Sequence, residues 1–210
     1  MKDARIIGYW SAWSATIFAC GYSVAQILST AGIIPHPQDL FWLFLPSLFL
    51  APAFLLMMVC LHYMVSADKK IWTAIGIAFA TVYAVCICIV YFSQLTVVIP
   101  SLLSAAIDET HVLAFVRRSF LMAVDCLGYF FMSLSMLFAA FAFRHDESGK
   151  WLYRSFLWTG LLLPVLILAF FFPFYYYLGA LWIILFPLAM INAARIFKNE
   201  DYLISQPKFI

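Results

Sequence analysis

Six apolar runs, each at least about as long as a bilayer's hydrocarbon core requires, follow one another along this chain with mostly short polar connections between them. A backbone in lipid has no water to bond with, and a helix satisfies its polar groups within the segment. The expected architecture is therefore all-α: a polytopic membrane protein with six transmembrane helices, near residues 6–34, 40–66, 71–98, 119–144, 151–172 and 175–196, in one domain over 1–210. Only 10% of residues are charged and 66% are hydrophobic, against about 25% charged in soluble domains. A soluble fold could not hide that much apolar surface. The first run is too long for a secretory signal, whose apolar core is about 7–15 residues, so it is expected to be kept as a helix. Its Gly8 and Ala12 form a small-xxx-small pair that lets another helix approach closely. Pro46, Pro52, Pro164 and Pro187 fall inside apolar runs, and Pro100 is expected to end the third helix.

An even number of spans puts both termini on one side. On this count the termini, the 67–70 turn and the 144–154 turn with its flank hold ten Lys and Arg, and the other side holds only Arg117 and Arg118, accounting for all 12. Cytoplasmic loops carry the excess of basic residues, so N and C termini are expected in the cytoplasm of a multi-pass, prokaryotic inner or plasma membrane protein. The connection 101–118 then lies outside. It holds Asp108, Glu109, His111, Arg117 and Arg118, and reads as an amphipathic cap on the membrane surface. A net charge of +2 with no basic stripe offers nothing to nucleic acid. Cys20, Cys60, Cys86, Cys88 and Cys126 all lie in apolar runs; an odd number at that depth reads as small core residues, not disulfides.

The polar residues inside the runs point to function. Asp125 lies in the fourth run, about 9 Å below its outer end at ~1.5 Å per residue. A carboxyl at that depth is costly, ~2.5–3.5 kcal/mol on insertion scales, and normally faces the protein interior with a partner. Tyr129 follows at i+4 on the same face. Tyr91 and Gln94 on helix three, and Tyr22 and Gln26 on helix one, lie in the same outer layer. Three polar pairs at one depth predict a site with Asp125 as the central charge, Gln26 and Gln94 as hydrogen-bonding groups, and the tyrosines as walls. His62 and Asn192 lie near the opposite ends of their helices.

Metal binding by Asp108, Glu109 and His111 is not expected, because two are adjacent and no second His accompanies them. No hydrolase, metalloprotease or phosphate-loop motif occurs, and no helix bears an Arg ladder. No catalytic residue, metal or cofactor is assigned.

The segments Tyr91-Phe-Ser-Gln-Leu-Thr-Val97 and Ala123-Val-Asp-Cys-Leu-Gly-Tyr-Phe-Phe-Met132 resemble a group of small prokaryotic six-helix integral membrane proteins of unassigned function. That resemblance implies the six-helix layout and no activity. In size and helix number the chain is also similar to the substrate-binding subunits of energy-coupling-factor vitamin transporters. The function expected first is transport-related binding of a small molecule or ion in the outer half of the bundle. A structural accessory subunit and an intramembrane enzyme acting on a lipid-like substrate are the alternatives. The partners expected are the lipid bilayer, a small polar or cationic ligand, and a homo-oligomer or larger membrane complex.

Overall fold

The computed structural model describes residues 2–104, 113–116, 119–172 and 174–199, and their regular structure is entirely helical. In chain order the α-helices are α1 (Lys2–Thr30), α2 (Gln38–His62), α3 (Lys70–Ser93), α4 (Ile99–Leu103), α5 (Phe120–Phe141), α6 (Lys150–Gly160), α7 (Leu163–Phe171), α8 (Phe174–Gly179) and α9 (Trp182–Lys198). Among the described residues, three helical stretches are long and apolar enough to cross a membrane: Gln38–His62, Ala67–Leu103 and Phe120–Phe141.

The first helix stops at Thr30, short of the expected end near Ile34, and the cause is local. Gly32 takes φ +69°, a conformation only glycine adopts cheaply. Its N–H donates to the Ser29 carbonyl at 2.9 Å, and the Ile33 N–H donates to the Leu28 carbonyl at 3.0 Å. These reversed bonds satisfy carbonyls at the end of α1 and turn the chain back. Beyond the turn, Asp39 is only 9% exposed. The Ser29 hydroxyl donates to Asp39 Oδ2 at 2.7 Å, and His36 Nδ1 lies 3.1 Å from Oδ1. One carboxyl thus ties the end of α1 to the start of α2. Asp39→Ala leaves the half-buried Ser29 hydroxyl without its partner, while the exposed His36 turns to water, and is expected to lower stability by about 1 kcal/mol in thermal unfolding of the detergent-purified protein. A midpoint equal to wild type would show that the clamp contributes nothing.

Pro100 does not end the third helix. After α3 the chain widens into a π-helical turn, Gln94–Val98, and continues as α4 with Pro100 in its first turn. A proline cannot donate to the carbonyl four residues back and its ring crowds that carbonyl; the wider turn makes room and the helix runs on. Pro46, Pro52 and Pro187 are likewise absorbed within α2 and α9. At Pro164 the outcome is the reverse. The expected helix 151–172 divides at Leu161–Leu162, and Pro164 opens α7, where its missing N–H costs nothing. The expected helix 175–196 also divides, between α8 and α9.

Packing closes a circuit: α1 packs on α2, α2 on α3, α3 on α5, α5 on α6, α6 on α9, and α9 on α1. Small residues make the close approaches possible. The buried face of α1 is Gly8, Ser11, Ala12, Ala15, Thr16, Ala19, Ser23 and Ala25, and a Cβ on Gly8 would overlap the Phe197 ring of α9. The opposite face exposes Trp10, Ile17, Val24 and Ile27, as a lipid-facing surface does. The cysteines divide differently from the expectation of five core residues. All are free; Cys60 is buried, Cys20 is exposed, and Cys86, Cys88 and Cys126 are half-buried.

Candidate functional site

Interhelical polar contacts occur at both ends of the molecule. At the end that holds Lys2 and Lys198, interhelical polar contacts are made. His62 Nδ1 lies 2.8 Å from Thr73 Oγ1, joining α2 to α3. Asn192 donates to Ser155 Oγ at 3.3 Å and to the Trp151 carbonyl at 3.4 Å, joining α9 to α6. Arg5 Nε donates to the Phe197 carbonyl at 3.1 Å, joining α1 to α9.

Towards the other end, an aromatic circuit fills the interior. Phe54 packs on Tyr83 (ring centroids 5.6 Å apart), Tyr83 on Tyr129 (5.8 Å), Tyr129 on Trp182 (5.5 Å), Trp182 on Phe186 (4.9 Å), and Phe186 on Phe54 (5.8 Å). Those rings come from α2, α3, α5 and α9. Tyr22 of α1 packs edge-on against Trp182 at 6.1 Å, and Phe44 of α2 stacks on Tyr91 at 5.4 Å. Helical spacing carries Asp125 one turn beyond Tyr129, on the same face of α5. Its side chain points inward and is 9% exposed. Tyr91 Oη lies 3.3 Å from Tyr129 Oη, joining α3 to α5. Tyr22, Tyr83, Tyr91 and Tyr129 all lie within electrostatic reach of that carboxyl.

Of the residues predicted from sequence, Asp125, Tyr129 and Tyr91 come together directly, and Tyr22 joins them through Trp182. Gln94 is fully buried; its Nε2 donates to the Leu113 carbonyl at 2.7 Å and fastens the returning segment to the π turn. In that segment Phe115 packs edge-on against Phe44 at 5.6 Å. Asp108, Glu109, His111, Arg117 and Arg118 lie outside the described residues. Gln26 is not brought to the cluster. It accepts from Tyr22 Oη at 3.2 Å and donates to Thr30 Oγ1 at 3.2 Å, so its amide is used along α1. Tyr83 and Trp182 were missed. Both lie within apolar runs, where nothing in the sequence singles them out.

Four buried polar atoms in this half have no hydrogen-bond partner: Asp125 Oδ1, Tyr83 Oη, Gln94 Oε1 and Trp182 Nε1. Leaving such a group unmade costs about 1–3 kcal/mol. Ser133 Oγ, Ser135 Oγ and Asp146 Oδ2 are also unpartnered; Asp146 accepts through its other oxygen from Ser148 and Gly149. Buried polar groups left unsatisfied call for water, an ion or a ligand beside them.

Compared with protein-family models, with curated proteins and with solved structures, the chain matches none.

Proposed function

We propose that this is a six-span membrane protein, with both termini cytoplasmic, that binds a small polar or cationic solute beside Asp125 in the outer half of the bundle, in a transport-related role. The observation that carries the reading is Asp125, a buried carboxyl with one oxygen that has no hydrogen-bond partner among the described residues, in the half of the bundle that also holds the unpartnered Tyr83 Oη and Gln94 Oε1. A protonated amine suits the acceptors Asp125 Oδ1 and Gln94 Oε1, and the Trp182 N–H needs an acceptor elsewhere on the solute or a water. An ionised carboxyl away from water needs a positive partner. The Gln94 carbonyl can accept further N–H donors, and aromatic walls attract cations. A purely structural role for Asp125 predicts that both of its oxygens are paired across helices, as His62 and Asn192 are.

Thermal-shift screening of the purified protein against primary to quaternary amines, with uncharged isosteres beside each, tests the binding. Amines are expected to raise the unfolding midpoint and their isosteres are not; equal responses from both sets would remove the reading. Sidedness has its own test. Ser148→Cys, in the polar turn before α6, is expected to react with a membrane-impermeant thiol reagent only in inverted vesicles, and Ser104→Cys, just after α4, only in intact cells. The reverse pattern would invert the topology.

A further inference from the structure

The seam where α6 packs on α9 carries a polar knot, about one turn in from the start of α6 and the end of α9. The Asn192 side chain of α9 donates to Ser155 Oγ at 3.3 Å and to the Trp151 carbonyl at 3.4 Å. Ser155 directs its own hydroxyl proton along α6, to the Trp151 carbonyl at 2.9 Å, so its oxygen serves Asn192 as the acceptor. Asn192 Oδ1 accepts in turn from Arg195 Nη1 at 3.3 Å, which holds that guanidinium beside α6. On the other helix, Arg154 lies over the Trp151 ring, with Cζ 5.3 Å from the ring centre. Two arginines of different helices are thus held around one asparagine, and both are exposed. Among the described residues neither meets a carboxylate; Glu147, in the turn before α6, lies 3.9 Å from Lys150. Further along the seam the outer surface is apolar: Trp158 and Leu161 of α6 and Ile184 and Leu188 of α9 are all exposed.

We propose that this seam binds an anionic glycerophospholipid, with its phosphate between Arg154 and Arg195 and an acyl chain along Trp158, Leu188 and Ile184. The arginines argue for the phosphate. A guanidinium presents its N–H donors in a planar fork that matches two oxygens of one phosphate, and Asn192 takes only one of the five donors on Arg195. Stacking on Trp151 and bonding to Asn192 order the two long side chains in advance, which lowers the entropy cost of binding. The surface around them argues for a lipid. Trp151 is 63% exposed beside the charges, where the amphipathic tryptophan ring favours headgroup depth. The apolar seam leads away from the arginines as acyl chains lead away from a headgroup; a free phosphate has nothing to place there. Anionic lipids are enriched in the leaflet that faces cytoplasmic basic segments. The choice of leaflet rests on the proposed topology, and the contact itself does not. The site is separate from Asp125 and stands whether or not an amine binds there.

The test uses the full-length protein in neutral detergent, titrated with phosphatidylglycerol or with phosphatidylcholine of the same chains. Phosphatidylglycerol is expected to raise the unfolding midpoint by about 2–4 °C more than phosphatidylcholine, and to remain bound in native mass spectrometry. Arg154→Gln with Arg195→Gln alters two exposed side chains and is expected to lose at least half of that difference. Native mass spectrometry counts the lipid on this variant directly, whatever its own midpoint. Lys69→Gln with Lys70→Gln, in the turn before α3 and off the seam, is expected to keep the difference. Glycerol 3-phosphate and inorganic phosphate are expected to give no shift. Equal shifts from both lipids, full retention in the arginine variant, equal loss in the lysine variant, or a shift from free phosphate alone would each overturn the proposal. So would a response seen only in Glu200→Gln with Asp201→Asn, since that would assign Arg195 to those two acids.

Discussion

Asp125→Asn is expected to unfold at the same temperature as the unaltered protein or higher, and to lose its response to amines. The two effects have separate causes. Asp125 Oδ1 is buried and accepts no hydrogen bond, so the carboxyl bears the cost of leaving water without a full set of partners. Asparagine has nearly the same shape and a smaller desolvation cost, so the empty protein gains or breaks even. The bound state fares differently. Removing the counter-charge from a buried cation costs about 2–5 kcal/mol, a weakening of roughly thirtyfold or more. Were Asp125 instead an interhelical clamp, the same change would break a buried charged interaction and cost about 3–5 kcal/mol. For a chain of this length that is a fall of about 6 °C or more. The sign of the midpoint change in the absence of ligand therefore separates binding from glue, before any ligand is identified. An unaltered amine response in the variant would remove Asp125 from the site whatever the midpoint did.

What the sequence made legible follows from what periodicity can carry. A single acid in an apolar run and a tyrosine at i+4 mark one helix face, and burial supplies a reason for that face to turn inward; Asp125 and Tyr129 meet both expectations. Tyr22 and Gln26 share a face by the same spacing, yet Gln26 closes on Thr30 of its own helix. Spacing says which side chains are neighbours and not which neighbour takes the hydrogen bond. Tyr83 and Trp182 were illegible for another reason. Their role depends on α9 reaching Tyr129 across the interior, a contact between residues more than fifty positions apart. The prolines show the same limit. Pro46, Pro52, Pro100, Pro164 and Pro187 look alike in apolar runs, but only at Pro164 does the chain break. Asp39 lies in a short polar connection between two apolar runs, yet it is a buried clamp because Gly32 reverses the chain and brings Ser29 to it.

Gly160→Ala sets local preference against packing, and the expected result is that packing wins. Alanine is the better helix former by about 1 kcal/mol, so propensity alone predicts a more stable protein. A Cβ at Gly160, however, would lie 2.8 Å from Leu137 Cβ and 3.0 Å from both Leu137 Cα and N. Gly8 differs, since its added carbon would meet only the ring of Phe197, which can turn. At Gly160 the obstacle is backbone, so α5 and α6 must separate, at a cost of about 1–3 kcal/mol. The midpoint is expected to fall by about 2–10 °C, measured in detergent without ligand. Leu137→Ala is not expected to rescue it, because alanine keeps the Cα, N and Cβ atoms that clash. Leu137 lies three turns along α5 from Asp125, about 18 Å, so protein that still folds should bind amines as before. A midpoint that rises would mean that α5 and α6 do not approach this closely, and a lost amine response at unchanged stability would couple the break before α7 to the site.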